Sequence, residues 1–398
     1  MQAKIKTADL EKWAEYLINH SLGGVNKEDV VMVKGEHICW PLMSVLQDKI
    51  IQAGAVCDIN ITAPDNDRGK VFGASMGKYG SPEQIKRAPE WQRKRYEEFN
   101  KFIEVLGVED PNLFKGQKEE LAQEIMRVDE ELKNLRLSKK WCITLFPTQG
   151  FADMEGLSLE EYTDIVVGAS LVDPSNLDEL EEDLAILFDS EDTVTLETHC
   201  PHTNRDLKLT MNIKDRLAVK CTGTRNFPDG EVYTSPDART VEGEIFVDLP
   251  VFQGGKVIQG IYLKFEGGKI INYKADKGHD ALQKIIETDD GSHRLGEVAL
   301  GMNTGMKKVL MHPLFVEKVG GTAHIAIGAS YPTAFTNDPE SEAGQKLIDE
   351  LTEKGVYNTS AQHVDIVTDF RPGGSGRAVY IGETKLEIEN DIWVVPKD

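Results

Sequence analysis

Four segments of this sequence set acids or histidines among residues that would bury them. In AQHVDIV, His363 and Asp365 are separated by one residue. In an extended strand, residues i and i+2 project from the same face, so this imidazole and carboxylate emerge side by side. Val364, Ile366 and Val367 mark the strand as buried. Such a pair is either a hydrogen-bonded couple or two ligands of one ion. In LGEVALGMN (295–303), Glu297 stands among Leu295, Val298, Ala299 and Leu300. A carboxylate there is costly unless it is paired, bound to metal or turned outward at an edge. In HIAIG, His324 is either a satisfied core histidine or a ligand. Tyr331, just before Pro332, either donates to a substrate or packs. In RNFPDGEVYTSP (225–236), Pro-Asp-Gly is turn chemistry and leaves Glu231 opening a short strand. An exposed glutamate beside a turn is the plain alternative there.

Two glutamates, two histidines and one aspartate make a mixed nitrogen and oxygen donor set. Such sets suit zinc, cobalt or manganese, and carboxylate-rich ones commonly bridge two ions. Five ligands would leave positions for water and substrate. The sequence has no H-E-x-x-H and no G-x-S-x-G, so neither a zincin helix nor a nucleophile elbow is expected. ETHCPHTN (197–204) is a competing cluster, with Cys200 between His199 and His202. Its polar, turn-like setting supplies no evident fourth ligand.

These segments need elements to carry them. DVVMVK (29–34) and AVCDINIT (55–62) read as strands around a helix at 40–54, and a further helix is expected over 7–22. Strand, helix, strand at this spacing predicts a parallel sheet. KGEHIC (34–39) has one glycine, so no phosphate-binding fingerprint is present. Residues 82–136, including WQRKRYEEFNKFIEVLG, read as charged helices with solvated faces. KKWCITLFPT (139–148) is a strand candidate. SLEEYTDIVVGASL (158–171) is a helix with a capping box from Ser158 and Glu161. After a helix at 175–190, short strands dominate, with helices at 279–288 and 343–354. The expected fold class is α/β. An amino-terminal α/β domain with a mainly parallel sheet spans 1–180, and a carboxy-terminal α+β domain rich in strands spans 181–398.

The chain has 398 residues, 40% hydrophobic and 28% charged, which fits two globular domains. A net charge of -22 argues against nucleic acid or an anionic membrane as main partner. No run reaches membrane-spanning length, and the start has no apolar signal region. Five scattered cysteines point to a reducing compartment, and a cytoplasmic location is expected.

NFPDGEVYTSP, LGEVALG, EKVGGTAHIAIGASYP and AQHVDIV, in this order, resemble the thermophilic metal-dependent aminopeptidases, the family of aminopeptidase T, aminopeptidase S and PepS. The resemblance covers most of the chain and is weaker in the amino-terminal half. It implies that Glu231, Glu297, His324, His363 and Asp365 are metal ligands for two divalent ions, with Glu297 bridging. Zinc or cobalt is expected, with magnesium or manganese as alternatives. It implies that Tyr331 donates to the tetrahedral intermediate, that the substrate is a peptide with a free amino terminus, and that the chain forms a homodimer. The general base is either the bridging carboxylate or the activated water itself. Val316 in LFVEK stands where the resemblance leads one to expect an aspartate. Two other readings accompany this one: a metal-dependent amidase on non-peptide substrates, and a non-catalytic, metal-stabilised binding protein.

Overall fold

Runs of valine and isoleucine separated by helix-length segments build the first sheet. In the computed structural model, which describes residues 3–62, 74–87, 90–110, 116–253, 256–371 and 376–396, strand Val30–Glu36 pairs in parallel with Val56–Thr62 and Lys101–Leu106. Lys101–Leu106 pairs in parallel with Lys140–Leu145, which pairs in parallel with Asn226–Phe227. This is the expected parallel sheet. The helix expected over 7–22 is an α-helix at Thr7–Glu15 that widens into a π-turn at Tyr16–Ser21. The helix Leu159–Ser170 carries the expected capping box.

One expectation fails. WQRKRYEEFNKFIEVLG is not a single helix: the helix ends at Glu98, and Lys101–Leu106 is an interior strand. Phe102, Ile103 and Val105 are buried, and a strand covered on both faces reads as a continuous apolar run. Asn100 marks the break, its side-chain oxygen accepting a hydrogen bond from Val30 N–H at 3.0 Å. Residues 88–89 and 111–115 of the charged segment lie outside the described residues.

Contacts divide the chain into two units: Met1–Pro174 with Gly223–Pro228, and Ser175–Thr222 with Asp229–Asp398. The second unit holds an eight-stranded sheet and a five-stranded sheet. The five-stranded sheet runs in the order His363–Asp369, Thr322–Gly328, Leu295–Gly301, Glu231–Thr234, Val219–Cys221, every neighbour antiparallel. Val232, Val298, Leu300, Ile325, Ile327, Val364 and Ile366 pack with Leu196, Leu209, Ile245 and Leu263 of the other sheet in one core. Fully burying each such aliphatic contributes about 1.5–3 kcal/mol, which fixes the face each strand turns inward. Among the described residues no helix is long and apolar enough to cross a membrane.

Candidate metal centre

The register of the five-stranded sheet decides what its other face carries. Gly301 lies opposite Glu231, Ala299 opposite both His324 and Tyr233, and Ala326 opposite Asp365. Glu297 also lies opposite Ala326, and Gly328 opposite His363. Directly opposed residues share a face, and so do alternate residues along each strand. The residues between them supply the aliphatic core, so burying that core turns Glu231, Glu297, His324, His363 and Asp365 to one side. Alanine and glycine at the intervening positions leave room for these side chains to converge. Gly328 also has φ +112°, and a Cβ there would run into the Gln362 carbonyl oxygen.

The five side chains meet. His324 Nε2 lies 3.0 Å from Glu297 Oε1, 3.6 Å from Glu231 Oε2 and 4.0 Å from Asp365 Oδ1. His363 Nε2 lies 3.2 Å from Asp365 Oδ1 and 3.6 Å from Glu297 Oε2. His363 Nδ1 donates to the Ala329 carbonyl oxygen at 2.7 Å, which leaves Nε2 to face the carboxylates. Glu231 Oε2 and Asp365 Oδ1 are buried without a hydrogen-bond partner. Donor atoms of Glu297, His324 and Asp365 all lie within 4.8 Å of one another. Orphaned carboxylate oxygens facing imidazole nitrogens form a donor set that a divalent cation satisfies.

Electrostatics fits this arrangement. Burial pushes the Glu297 carboxyl up, and the His324 hydrogen bond only partly offsets it. Burial lowers the His324 imidazole, but Glu297 and Glu231 outweigh it and raise the pKa to about 9. His363 is likewise lowered by burial and raised further by Asp365, to about 10. Burial raises Asp365, but His363 wins and holds it well below the usual carboxylate range. Without an ion, protons on the imidazoles hold the carboxylates together.

Tyr331 follows the Thr322–Gly328 strand and packs on His363, with ring centroids 4.4 Å apart. It is 44% exposed, whereas His324 and Glu297 are buried, so it lies at the solvent side of the set. Its neighbour Tyr233 is 5.9 Å away between centroids and is tied by its hydroxyl to Thr333.

Three charged groups that the sequence reading did not single out border the centre. The buried ammonium of Lys318 hydrogen-bonds Glu231 Oε1 and lies 3.6 Å from Asp229 and 3.2 Å from Glu317. Burial, then Asp365, pushes the Glu317 carboxyl well up, and its side chain hydrogen-bonds Asp365. Burial raises Asp229 to about 7 against the pull of Lys318. Val316, the departure noted in the sequence, is buried in the short helix Pro313–Val316 that delivers Glu317 and Lys318. The competing cluster does not assemble: His199 pairs with Asp206 and His202 with Asp276, both at 2.8 Å.

The sequence profile of a family described as thermophilic metalloprotease (M29) matches residues 6–372. Aminopeptidase AmpS of Bacillus subtilis is 38% identical over 146 residues, which cover 36% of this chain and 34% of that protein. Aminopeptidase T of Thermus thermophilus is 36% identical over 127 residues, covering 30% of each chain. The chain thus spans about a third of the length of the curated relatives it matches. A solved structure, wild-type AmpT from Thermus thermophilus, superposes with a TM-score of 0.76 at 23% identity, covering 98% of this chain and 99% of that one. That likeness is one of fold.

Proposed function

Since the chain belongs to the thermophilic metalloprotease (M29) family, we propose that it is a metal-dependent aminopeptidase that removes the amino-terminal residue of peptides. The observation that carries the reading is the convergence of three carboxylates and two imidazoles on one sheet face, with two buried carboxylate oxygens that face imidazole nitrogens and accept no hydrogen bond. Up to two divalent ions, zinc or cobalt, would be held by Glu231, Glu297, His324, His363 and Asp365. When bound, such an ion polarises a carbonyl and lowers the pKa of its water toward neutrality.

The chain's own residues supply the rest. The Ala329 carbonyl orients His363. The core beneath the sheet excludes water from the inner side of the set. Glu297, its carboxyl raised by burial, is placed to hold or pass a proton beside His324. Tyr331 is protonated at neutral pH, as phenols are, and would donate to the developing oxyanion from the solvent side. A homodimer and a cytoplasmic location complete the proposal, on the family resemblance and the scattered cysteines.

The test is metal content by elemental analysis of the purified protein, with leucine-4-nitroanilide hydrolysis before and after chelation. Bound metal with activity lost on chelation and restored by zinc or cobalt supports the reading. Bound metal without turnover on aminoacyl anilides, but with turnover on other amides, points to the amidase alternative. Absence of metal under every loading condition overturns both.

A further inference from the structure

Lys318 stands where a second cation would go. Donor atoms of Cys221, Asp229 and Glu231 lie within 4.8 Å of one another, a spacing that suits a metal ion. The Lys318 ammonium is already against this group: it donates to Glu231 Oε1 and lies 3.6 Å from Asp229 Oδ1. Its side chain is 3% exposed, so water does not compensate its charge. Its backbone is fixed as well. The Lys318 carbonyl accepts from Asn303 N–H at 2.9 Å, and its own N–H donates to Phe315 at 3.0 Å. The ammonium is therefore built into the fold.

The consequence falls on Glu231. One of its oxygens is committed to Lys318, and only the other faces His324. A divalent ion on that second oxygen would share one carboxylate with a buried ammonium, and the two cations repel in a medium that screens poorly. The carboxylates with no ion pair to Lys318, Glu297 and Asp365, together carry the charge of one divalent ion, and both imidazoles lie against them. We propose that Lys318 is a resident cation that withdraws Glu231 from metal binding, so that the centre holds one tight divalent ion among Glu297, His324, His363 and Asp365 and accepts a second only when that ammonium is removed. The inference rests on the metal-dependent reading, narrows its ion count to one and takes Glu231 out of its ligand set.

Counting ions tests it without reference to activity. The full chain, stripped by chelation, is titrated with zinc, and bound metal is measured by elemental analysis after gel filtration and by competition with a chromophoric chelator. The wild type is expected to bind one ion tightly. Lys318→Met, which keeps length and apolar volume, is expected to bind two. Lys318→Gln, which is neutral and keeps a donor toward Glu231, strands the carboxylates less than methionine does, and it is expected to bind two should the methionine variant fail to fold. Glu231→Gln is expected to keep the one tight ion with affinity within about threefold of the wild type, because that ion does not depend on it; loss of a true ligand or its support costs about tenfold or more.

Two ions of comparable affinity in the wild type overturn the inference and leave the metal reading intact. A single ion in folded Lys318 variants, or an ion about tenfold weaker in Glu231→Gln, also overturns it. No ion in any variant or the wild type defeats the metal-dependent reading itself.

Discussion

Each unit of this chain buries charge on strands of a sheet, and the two do so with opposite accounting. In the first unit, Lys34 and Glu104 on neighbouring parallel strands are each 4% exposed. Lys34 lies 3.2 Å from Glu104 Oε1, and Arg136 lies 2.5 Å from Glu104 Oε2. Both cations also stand over the Phe102 ring. The carboxylate has a partner on each oxygen. In the second unit, three carboxylates and two imidazoles converge, and oxygens of Glu231 and Asp365 have no hydrogen-bond partner. Buried charge whose acceptors are taken holds a sheet together. Buried charge with acceptors left over and aimed at one point is arranged for something that arrives later.

The comparison breaks most sharply at its two central carboxylates. Glu297→Gln should lower leucine-4-nitroanilide hydrolysis by about a thousandfold or more, since an ion's several kcal/mol of catalysis depends on its ligands. Its effect on the unfolding free energy of the ion-free protein should stay below about 2 kcal/mol, because His324 can shed its proton once the Glu297 charge is gone and burial already disfavours that charge. Glu104→Gln should do the reverse. It strands Lys34 and Arg136 and should cost about 3–5 kcal/mol in urea unfolding, with the ion count unchanged. Equal stability losses in the two variants would erase the distinction.

A second prediction sharpens it through protons. In the ion-free protein, His324 and His363 are raised to about 9 and about 10 by the carboxylates that face them, against burial. Groups whose folded pKa is raised contribute stability that is fully present below the unfolded value near about 6.5. That contribution is lost as pH rises through about 9 to about 10. An ion needs neutral imidazoles, so loading near neutral pH should release roughly one to two protons, read by calorimetry in buffers of different ionisation enthalpy. Release near zero would mean the histidines are already neutral and the carboxylates hold no imidazolium.

How much of this was legible before the fold was known depends on the distance over which each fact operates. His363 and Asp365 declare a shared face through strand periodicity alone. Glu297 and His324 announce themselves as polar residues inside apolar runs. Nothing in one segment states that Ala299 sits opposite His324 or Gly301 opposite Glu231; that is register, set by long-range pairing of strands. Lys318 was invisible for a different reason. A lysine after a short apolar run reads as solvent-facing, and the cues beside it were Val316, an absence, and Glu317, an ordinary neighbour. The strand Lys101–Leu106 was hidden by the charged helix before it, because Lys101 and Glu104 mask a buried run and their partners Asp29 and Lys34 are far away in sequence.

The smallest expected effect concerns a satisfied carboxylate at the edge of the centre. Asp289 takes hydrogen bonds from Ser292 N–H at 2.8 Å, Ser360 Oγ at 2.9 Å and Ala361 N–H at 2.6 Å, fixing the chain just before His363. These donors, the Ala361 N–H first, hold its carboxyl down at about 2. A depressed carboxylate contributes stability that is present above the unfolded pKa near about 4 and is lost as pH falls through the folded value of about 2. Asp289→Asn should therefore cost about 1 kcal/mol at neutral pH, on the order of one net charge-assisted hydrogen bond, and the gap to the wild type should close on acidification toward about pH 2. Because this carboxylate has its partners, the ion count should not change. A lost ion in Asp289→Asn would show that orienting His363 depends on this edge as much as on Ala329, and the line between holding and binding charge would then run through the segments 289–292 and 360–363 instead of around them.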